Sequence, residues 1–327
     1  MTVSHPDEAP RSATAAPLDE LLEIVQSLKH ELVRREETVA GDWVEGSVAA
    51  LRAGRQVGWY YPVAQGAGIG FYAPRGDDAF GHVHVGPGPG AAGRALRLAT
   101  TVLDGLPSGI RAIDLGFTGL PPEEEQALTA RLAERPGSTA IERYRMERDL
   151  GPDDSVASLR LRDGLVLMPV RSVTVEALSE LDRRAFAGTL DELLIGRATS
   201  DYHRVLRSLL DGSLGRFLDE ASTALLVEDP PRLVGAILSA EQSPRRAVFV
   251  DFMVDPDDRR QGHGRFLLRW GLRALFALGY SSVRLWVTSA NEPARRLYDE
   301  FGFRQAASAS IYRWDRPGSV PHPHSER

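Results

Sequence analysis

The sequence predicts an α/β protein of layered α+β type built as two tandem domains, and three observations carry that prediction. Runs of β-branched and aromatic residues alternate with apolar residues at helical spacing along most of the chain. The order of these runs in 18–150 recurs in 161–327. At 327 residues the chain suits two domains of ordinary size, and the acidic stretch Gly151-Pro152-Asp153-Asp154-Ser155 reads as the start of a linker over 151–160.

Taken in order, residues 1–17 are rich in Ala, Pro, Ser and charge, which predicts a disordered segment. Leu21, Val25, Leu28 and Leu32 repeat at helical spacing within a helix predicted from Leu18 to about Ala53. Strands are predicted at 57–61, 68–72 and 79–85, a helix at 91–103, a strand at 110–115, a helix at 123–134 and a strand at 140–146. The second half opens with a strand at 165–170 and helices at 174–186 and 201–220. Strands follow at 223–227, 233–238 and 247–254, a helix at 266–276, a strand at 282–287, a short helix around Tyr298 and a closing strand at 309–314.

Two motifs in the second half carry chemistry. The first, Arg259-Arg260-Gln261-Gly262-His263-Gly264-Arg265, lies between the 247–254 strand and the helix that follows. Strand, glycine loop and helix is the arrangement in which free backbone N–H groups hold a phosphate. A Walker-type loop is excluded, because Gly264 is followed by Arg265 and Phe266. A dinucleotide fingerprint is also absent, since Leu267 and Arg284 stand where a third glycine and an acid belong. Alone, the loop reads equally as a charged strand-to-helix turn. The second motif is Asn291-Glu292-Pro293-Ala294-Arg295-Arg296-Leu297-Tyr298. Asn291 suits a helix N-cap, Pro293 the first turn, and Gly302 the helix end. Ala294 and Tyr298, four apart, share one face, so a thin ligand can approach and meet a phenol one turn on.

In this order and about 30 residues apart, the two motifs resemble those of the GNAT acetyltransferase superfamily. The resemblance is to the tandem-domain type that includes mycothiol synthase and several antibiotic-pathway acetyltransferases. It implies that each half is a mostly antiparallel mixed sheet flanked by helices. It further implies that Arg259, Gly262 and Gly264, with Arg260, Gln261, His263 and Arg265 of the same loop, bind the pyrophosphate of acetyl-CoA. Asn291 and Ala294 would lie beside the thioester, and the backbone near Met253 and Val254 would receive the acetyl carbonyl. Tyr298 would be the general acid for the leaving thiolate, with direct transfer to the amine of a small molecule.

For the base, Asp251 stands out as an acid in an otherwise apolar strand, sharing by alternation a face with Phe249 and Met253. Burial would raise its pKa into the range of a base, while an arginine partner would make it structural; both readings are open. Asp255, Asp257 and Asp258 are assigned to turn capping, and His263 to a solvated turn position. Asp182 and His203 fall in the early helices that shape the acceptor pocket in this family.

The first half reads as a degenerate copy. Its equivalent loop, 86–93, carries Pro87 and Pro89, which lack the N–H a phosphate needs. Its later helix has Glu123, Glu124 and Glu125 in place of the Asn-x-x-Ala-x-x-x-Tyr pattern. Gly88, Gly90 and Gly93 leave coenzyme binding there open.

Composition narrows the alternatives. The absence of cysteine excludes disulfides, a cysteine nucleophile and a thiolate zinc site, and no metal is expected. A net charge of −6 argues against a nucleic-acid partner, and no run approaches the ~20 apolar residues of a membrane span. The N-terminus lacks a positive start followed by an apolar segment, so a cytoplasmic protein is expected, monomer or homodimer. Residues 1–157 hold 15 basic and 23 acidic side chains against 24 and 22 in 158–327, so the half with the glycine loop is the less acidic. A non-catalytic acyl-CoA-binding module, a mycothiol-synthase-like enzyme and a protein N-terminal acetyltransferase share this fold reading and are not separated by it.

Overall fold

The structure, a computed structural model, describes residues 9–35, 43–156, 159–195, 199–212 and 215–318. They divide into two compact units: one holds the described residues up to Glu142 with those from Ala309 onward, and the other is Arg143–Ser308.

The first unit contains β1 (Arg11–Ser12), α1 (Leu18–Arg34), α2 (Trp43–Arg52), β2 (Val57–Tyr61), β3 (Gly68–Arg75), β4 (Asp78–Val85), α3 (Ala91–Asp104), β5 (Ala112–Thr118), α4 (Pro122–Leu132) and the start of β6 (Ser138–Asp149). Strands β1 to β4 pair antiparallel in sequence order, and β4 runs parallel to β5 across the α3 crossover. Parallel strands need such a crossover, and α3 presents Ala95, Leu98, Ala99 and Val102 to the sheet at helical spacing. On the other face α1 and α2 bury Leu21, Ile24, Leu28, Val48 and Leu51.

The second unit contains the rest of β6, α5 (Pro152–Val156), β7 (Leu165–Pro169), α6 (Val175–Phe186), α7 (Leu190–Ile195), α8 (Thr199–Leu210), β8 (Arg216–Phe217), β9 (Thr223–Val227), β10 (Arg232–Ser243), β11 (Arg246–Val254), α9 (His263–Ala277), β12 (Ser282–Thr288), α10 (Glu292–Glu300) and the start of β13 (Arg304–Asp315). β7, β9, β10 and β11 pair antiparallel, β11 runs parallel to β12, and Arg143–Asp149 of β6 pairs antiparallel with Ser282–Thr288. Leu267, Leu268, Leu272 and Leu275 of α9 fill one face. Leu178, Leu181, Leu206 and Leu209 of α6 and α8 fill the other.

Several expectations are corrected. Residues 11–16, read as disordered, form β1 and a 3-10 turn whose Ala13 and Ala16 are buried; two small apolar side chains suffice to dock the segment on β2. Residues 1–8 lie outside the described set. The helix expected over 18–53 is two helices, with 36–42 outside the described residues. The supposed linker carries α5, whose Asp154 accepts from Arg148 and from the Gly151 N–H. The helix expected to 220 stops at Leu210. There Gly215 has φ 110°, and a Cβ on it would stand 2.0 Å from the Glu241 carbonyl, so only glycine lets the chain pass β10 into β8. The unit boundaries also fall inside β6 and β13 and not at residue 150, because each of these strands is 12 residues long and divides between units.

Arg313 of β13 is buried in the first unit, bonded to both oxygens of Asp114, with Asp315 at 3.2 Å and Asp78 at 3.8 Å. Burial pushes the Asp114 carboxyl up to about 6 even with this guanidinium beside it. Arg313→Leu leaves three acids around an empty centre and lowers stability by about 3 kcal/mol. Urea unfolding at two pH values checks this: the loss is larger at pH 8 than at pH 5, because a protonated Asp114 no longer needs the cation.

Candidate active site

The two parallel strand pairs differ in how far they stay zipped. In the first unit β4 and β5 remain in register over seven residues, from Asp78 opposite Ala112 to His84 opposite Thr118. Thr118 Oγ1 lies 2.9 Å from His82 Nε2 and 3.0 Å from His84 Nδ1, pinning the end of the pair. Burial pushes His82 down to about 3 and His84 down to about 4, so both rings are neutral. In the second unit β11 and β12 are paired only from Arg246 opposite Ser282 to Val248 opposite Arg284. Beyond Val248 the edge of β11 that faces β12 has no strand partner among the described residues. Backbone groups exposed along such an edge call for another partner.

At the mouth of this opening lies the glycine loop. Asp255 caps a 3-10 turn at Pro256–Asp258 by accepting from the Asp257 N–H at 3.0 Å. Arg184 bridges Asp255 and Asp257, and Arg232 grips both oxygens of Asp258. The acidic residues are thus turn-building, as their spacing predicts. Arg260 (φ 63°) and Gly262 (φ 88°) both take the left-handed conformation. For Arg260 that is a conformation few non-glycine residues adopt, of the kind that collects at ligand loops. The first intrahelical bond of α9 runs from the Phe266 N–H to the Gly262 carbonyl, so the N–H groups of His263, Gly264 and Arg265 precede it. They form the anion-receptive end of a helix of 15 residues.

The loop side chains divide by task. Arg259 donates to the Ala185 carbonyl at 2.6 Å, tying the loop to α6, and Arg265 pairs with Glu300. Gln261 bonds to Asp258, and its carbonyl accepts from Arg162. His263, expected as a solvated turn residue, is buried, and its pKa is lowered by that burial. The reason is that α9 begins at His263 itself, and the left-handed Gly262 turns that first residue inward. The corresponding first-unit loop satisfies itself: Arg94 of α3, buried, donates to the Gly86 and Pro89 carbonyls at 3.0 and 2.9 Å.

Asn291 caps α10 by accepting from the Ala294 N–H at 3.3 Å. Tyr298 is buried, with its ring 6.2 Å from Phe252 and 5.7 Å from Phe303. Burial, then the nearby Asp191 and Asp251 carboxyls, raise its phenol pKa well above the ordinary value, so it keeps its proton. Asp191, buried on α7, accepts from Thr288 Oγ1 at 2.6 Å and stands 3.9 Å from Arg143 of β6. Arg143 also donates to the Trp286 carbonyl.

Asp251 requires a correction. The register steps from Leu238 opposite Asp251 to Ser239 opposite Phe249, so Val250 is an extra residue in β11. This bulge breaks the alternation. Phe249 packs in the α9 core, whereas Met253, and by pleat Asp251, belong to the face covered by α6 and α8. Burial pushes the Asp251 carboxyl up, and a backbone bond from Phe252 only partly offsets it. The structure pairs it with no arginine among the described residues.

Sequence reasoning named Tyr298, Asp251, Asn291, Ala294, Met253, Val254 and the loop as candidates, and all of them lie in the unit Arg143–Ser308. It missed Asp191, Thr288, Arg143 and Tyr202, which lie on four elements and carry no local motif. Asp182 had a signal, being an aspartate in the apolar stripe Leu178, Leu181, Ala185. Among the described residues no group of three or more His, Cys, Asp or Glu is arranged to hold a metal, and no helix is long and apolar enough to cross a membrane.

Comparisons with known proteins bear on this geometry. The model of the acetyltransferase (GNAT) family matches residues 180–303. A mycothiol acetyltransferase of Thermobispora bispora is 32% identical over 278 residues, 82% of this chain and 88% of that one. A mycothiol acetyltransferase of Saccharopolyspora erythraea is 31% identical over 187 residues, 57% of this chain and 55% of that one. Among solved structures, a GCN5-related N-acetyltransferase from Sphaerobacter thermophilus aligns with a TM-score of 0.57 at 16% identity, covering 95% of this chain and 96% of that one. A tandem GNAT protein from the clavulanic acid biosynthesis pathway aligns with a TM-score of 0.54 at 13% identity, covering 95% and 99%.

Proposed function

Because this chain belongs to the acetyltransferase (GNAT) family, we propose that it transfers an acetyl group from acetyl-CoA to the amine of a small molecule, within the unit Arg143–Ser308. Membership makes it an acyltransferase, and the family generally uses acetyl-CoA as co-substrate. The observation that carries the reading is the unzipped β11–β12 pair with a helix N-terminus at its mouth and a buried phenol beside it. The pyrophosphate of the coenzyme suits the N–H groups of His263, Gly264 and Arg265, with Arg260 adding charge. The amide-bearing arm suits the unpartnered edge of β11, as an added strand does. There a backbone N–H near Met253 or Val254 serves the developing oxyanion.

The amine attacks as the neutral base. Its nitrogen forms a bond to the acetyl carbon, the carbon–sulfur bond breaks, and the proton displaced from nitrogen goes to Asp251. Tyr298 gives its proton to the leaving thiolate. Asp251, close enough to act on that phenol, returns the proton it received, so amine and thioester become amide and thiol with no charge left over.

One coenzyme per chain is expected, because the first unit keeps β4 and β5 zipped and fills its own loop with Arg94. Native mass spectrometry with acetyl-CoA checks this: one equivalent bound supports the reading, and none, or two, overturns it. An amine panel followed by thiol release then tests transfer, and the acceptor of a mycothiol acetyltransferase belongs in that panel.

A further inference from the structure

α6 packs across β10 and β11 with Leu178, Leu181 and Ala185 facing the sheet, and Asp182 stands in the same stripe. Asp182 is 0% exposed, and neither of its oxygens has a hydrogen-bond partner among the described residues. A lone carboxylate in such a place is costly, so it calls for a reason. The bulge at Val250 supplies one, because it turns Asp251 onto the face that α6 covers. Two more fully buried groups beside it, the Ser179 and Tyr202 hydroxyls, also have no partner among the described residues.

We infer that Asp182 and Asp251 work as one carboxyl pair sharing a single proton, with Asp251 facing the acceptor amine and Asp182 held behind it. The inference rests on the transfer reaction proposed above and adds a positioning residue to it. The surrounding charges fit. On α6, Arg183 is engaged by Glu180. On α7, Asp191 is held by Thr288 and Arg143, and Glu192 by the Gly188 N–H. Tyr202 on α8 and Tyr298 on α10 are neutral phenols, each raised first by burial. The charge acting on Asp182 is Asp251. Burial and then that neighbour push the Asp182 carboxyl far above the ordinary range, further than Asp251 itself.

The consequence is one proton at rest, on Asp182, and one carboxylate, on Asp251. When the amine nitrogen bonds to the acetyl carbon and loses its proton, the pair holds two. It gives one back to the Tyr298 phenolate left after the thiolate is protonated. Asp182 never touches the acceptor; held neutral by burial and by the Asp251 charge, it leaves Asp251 as the one carboxylate of the pair, the one that takes the proton.

Full-length protein carrying carbon-13 in its aspartate carboxyls tests the pair by NMR titration, in wild type, Asp182→Asn and Asp251→Asn. In Asp251→Asn the Asp182 midpoint falls by about one pH unit or more, because the charge that holds it up is gone. In Asp182→Asn the Asp251 midpoint stays near its wild-type value, since Asp182 is already neutral when Asp251 titrates. An unmoved Asp182 midpoint in Asp251→Asn overturns the inference, since two acids that do not interact titrate independently. Should Asp251→Asn fail to fold, Asp251→Ser reads the same coupling from Asp182, whose midpoint must fall likewise. The acid limb of kcat/KM, measured with whichever panel amine is acetylated, follows the Asp251 midpoint in wild type and in Asp182→Asn. If no amine is acetylated, the function proposed above fails, while the NMR result still decides the pair.

Discussion

Tyr298→Phe lowers kcat for acetyl transfer by about 100-fold or more and leaves acetyl-CoA affinity within a factor of about two. The phenol is buried, and burial, Asp191 and Asp251 all favour its protonated form, so it is held ready to donate. Phenylalanine keeps the ring contacts with Phe252 and Phe303, so packing is nearly preserved and the loss is chemical. Steady-state kinetics beside calorimetric binding separate the two quantities. Unchanged kcat would remove Tyr298 from the proton path. Coenzyme binding with no turnover in either protein would leave a binding module in place of an enzyme.

A second large effect is expected at Gly264. A Cβ there would sit 3.4 Å from Leu297, 3.6 Å from Phe252 and 3.8 Å from Val254, which is ordinary contact. Gly264→Ala therefore binds acetyl-CoA nearly as wild type does. Gly264→Trp fills the space over the first turn of α9 and raises the dissociation constant by about 100-fold or more, roughly 2.7 kcal/mol. The graded pair matters because tryptophan alone could disturb the helix. If alanine is as damaging as tryptophan, close approach of the coenzyme to the Gly264 Cα is the requirement; if neither matters, the coenzyme does not dock at 259–265.

Much of this was legible in the sequence. The glycine loop and the Asn291–Tyr298 helix announce themselves because capping residues, glycines and a four-residue repeat are local features that one stretch of chain must carry alone. Strands β9, β11 and β12 were equally plain, since a buried strand is a short apolar run. Three things were hidden for a physical reason. The bulge at Val250 exists only as a mismatch between two strands, so alternation within β11 put Phe249 on one face with Asp251 and Met253, where the structure keeps only Met253 beside Asp251. Asp191, Thr288 and Arg143 meet through pairings of residues far apart in sequence, 97 positions in the case of Asp191 and Thr288. The division of β6 and β13 between units depends on partners and leaves no mark on composition.

That division bears on how such a chain changes over generations. A duplicated domain that has lost its ligand is ordinarily free to be deleted, and deletion at a linker is the simplest route. Here the boundary of each unit falls within a strand, at Glu142/Arg143 and again at Ser308/Ala309. Excision at residue 150 would take Arg143 and the strand paired with β12 away from the working unit. Removing the first unit by a cut at that linker would thus cost the second unit a strand, whatever the first unit binds.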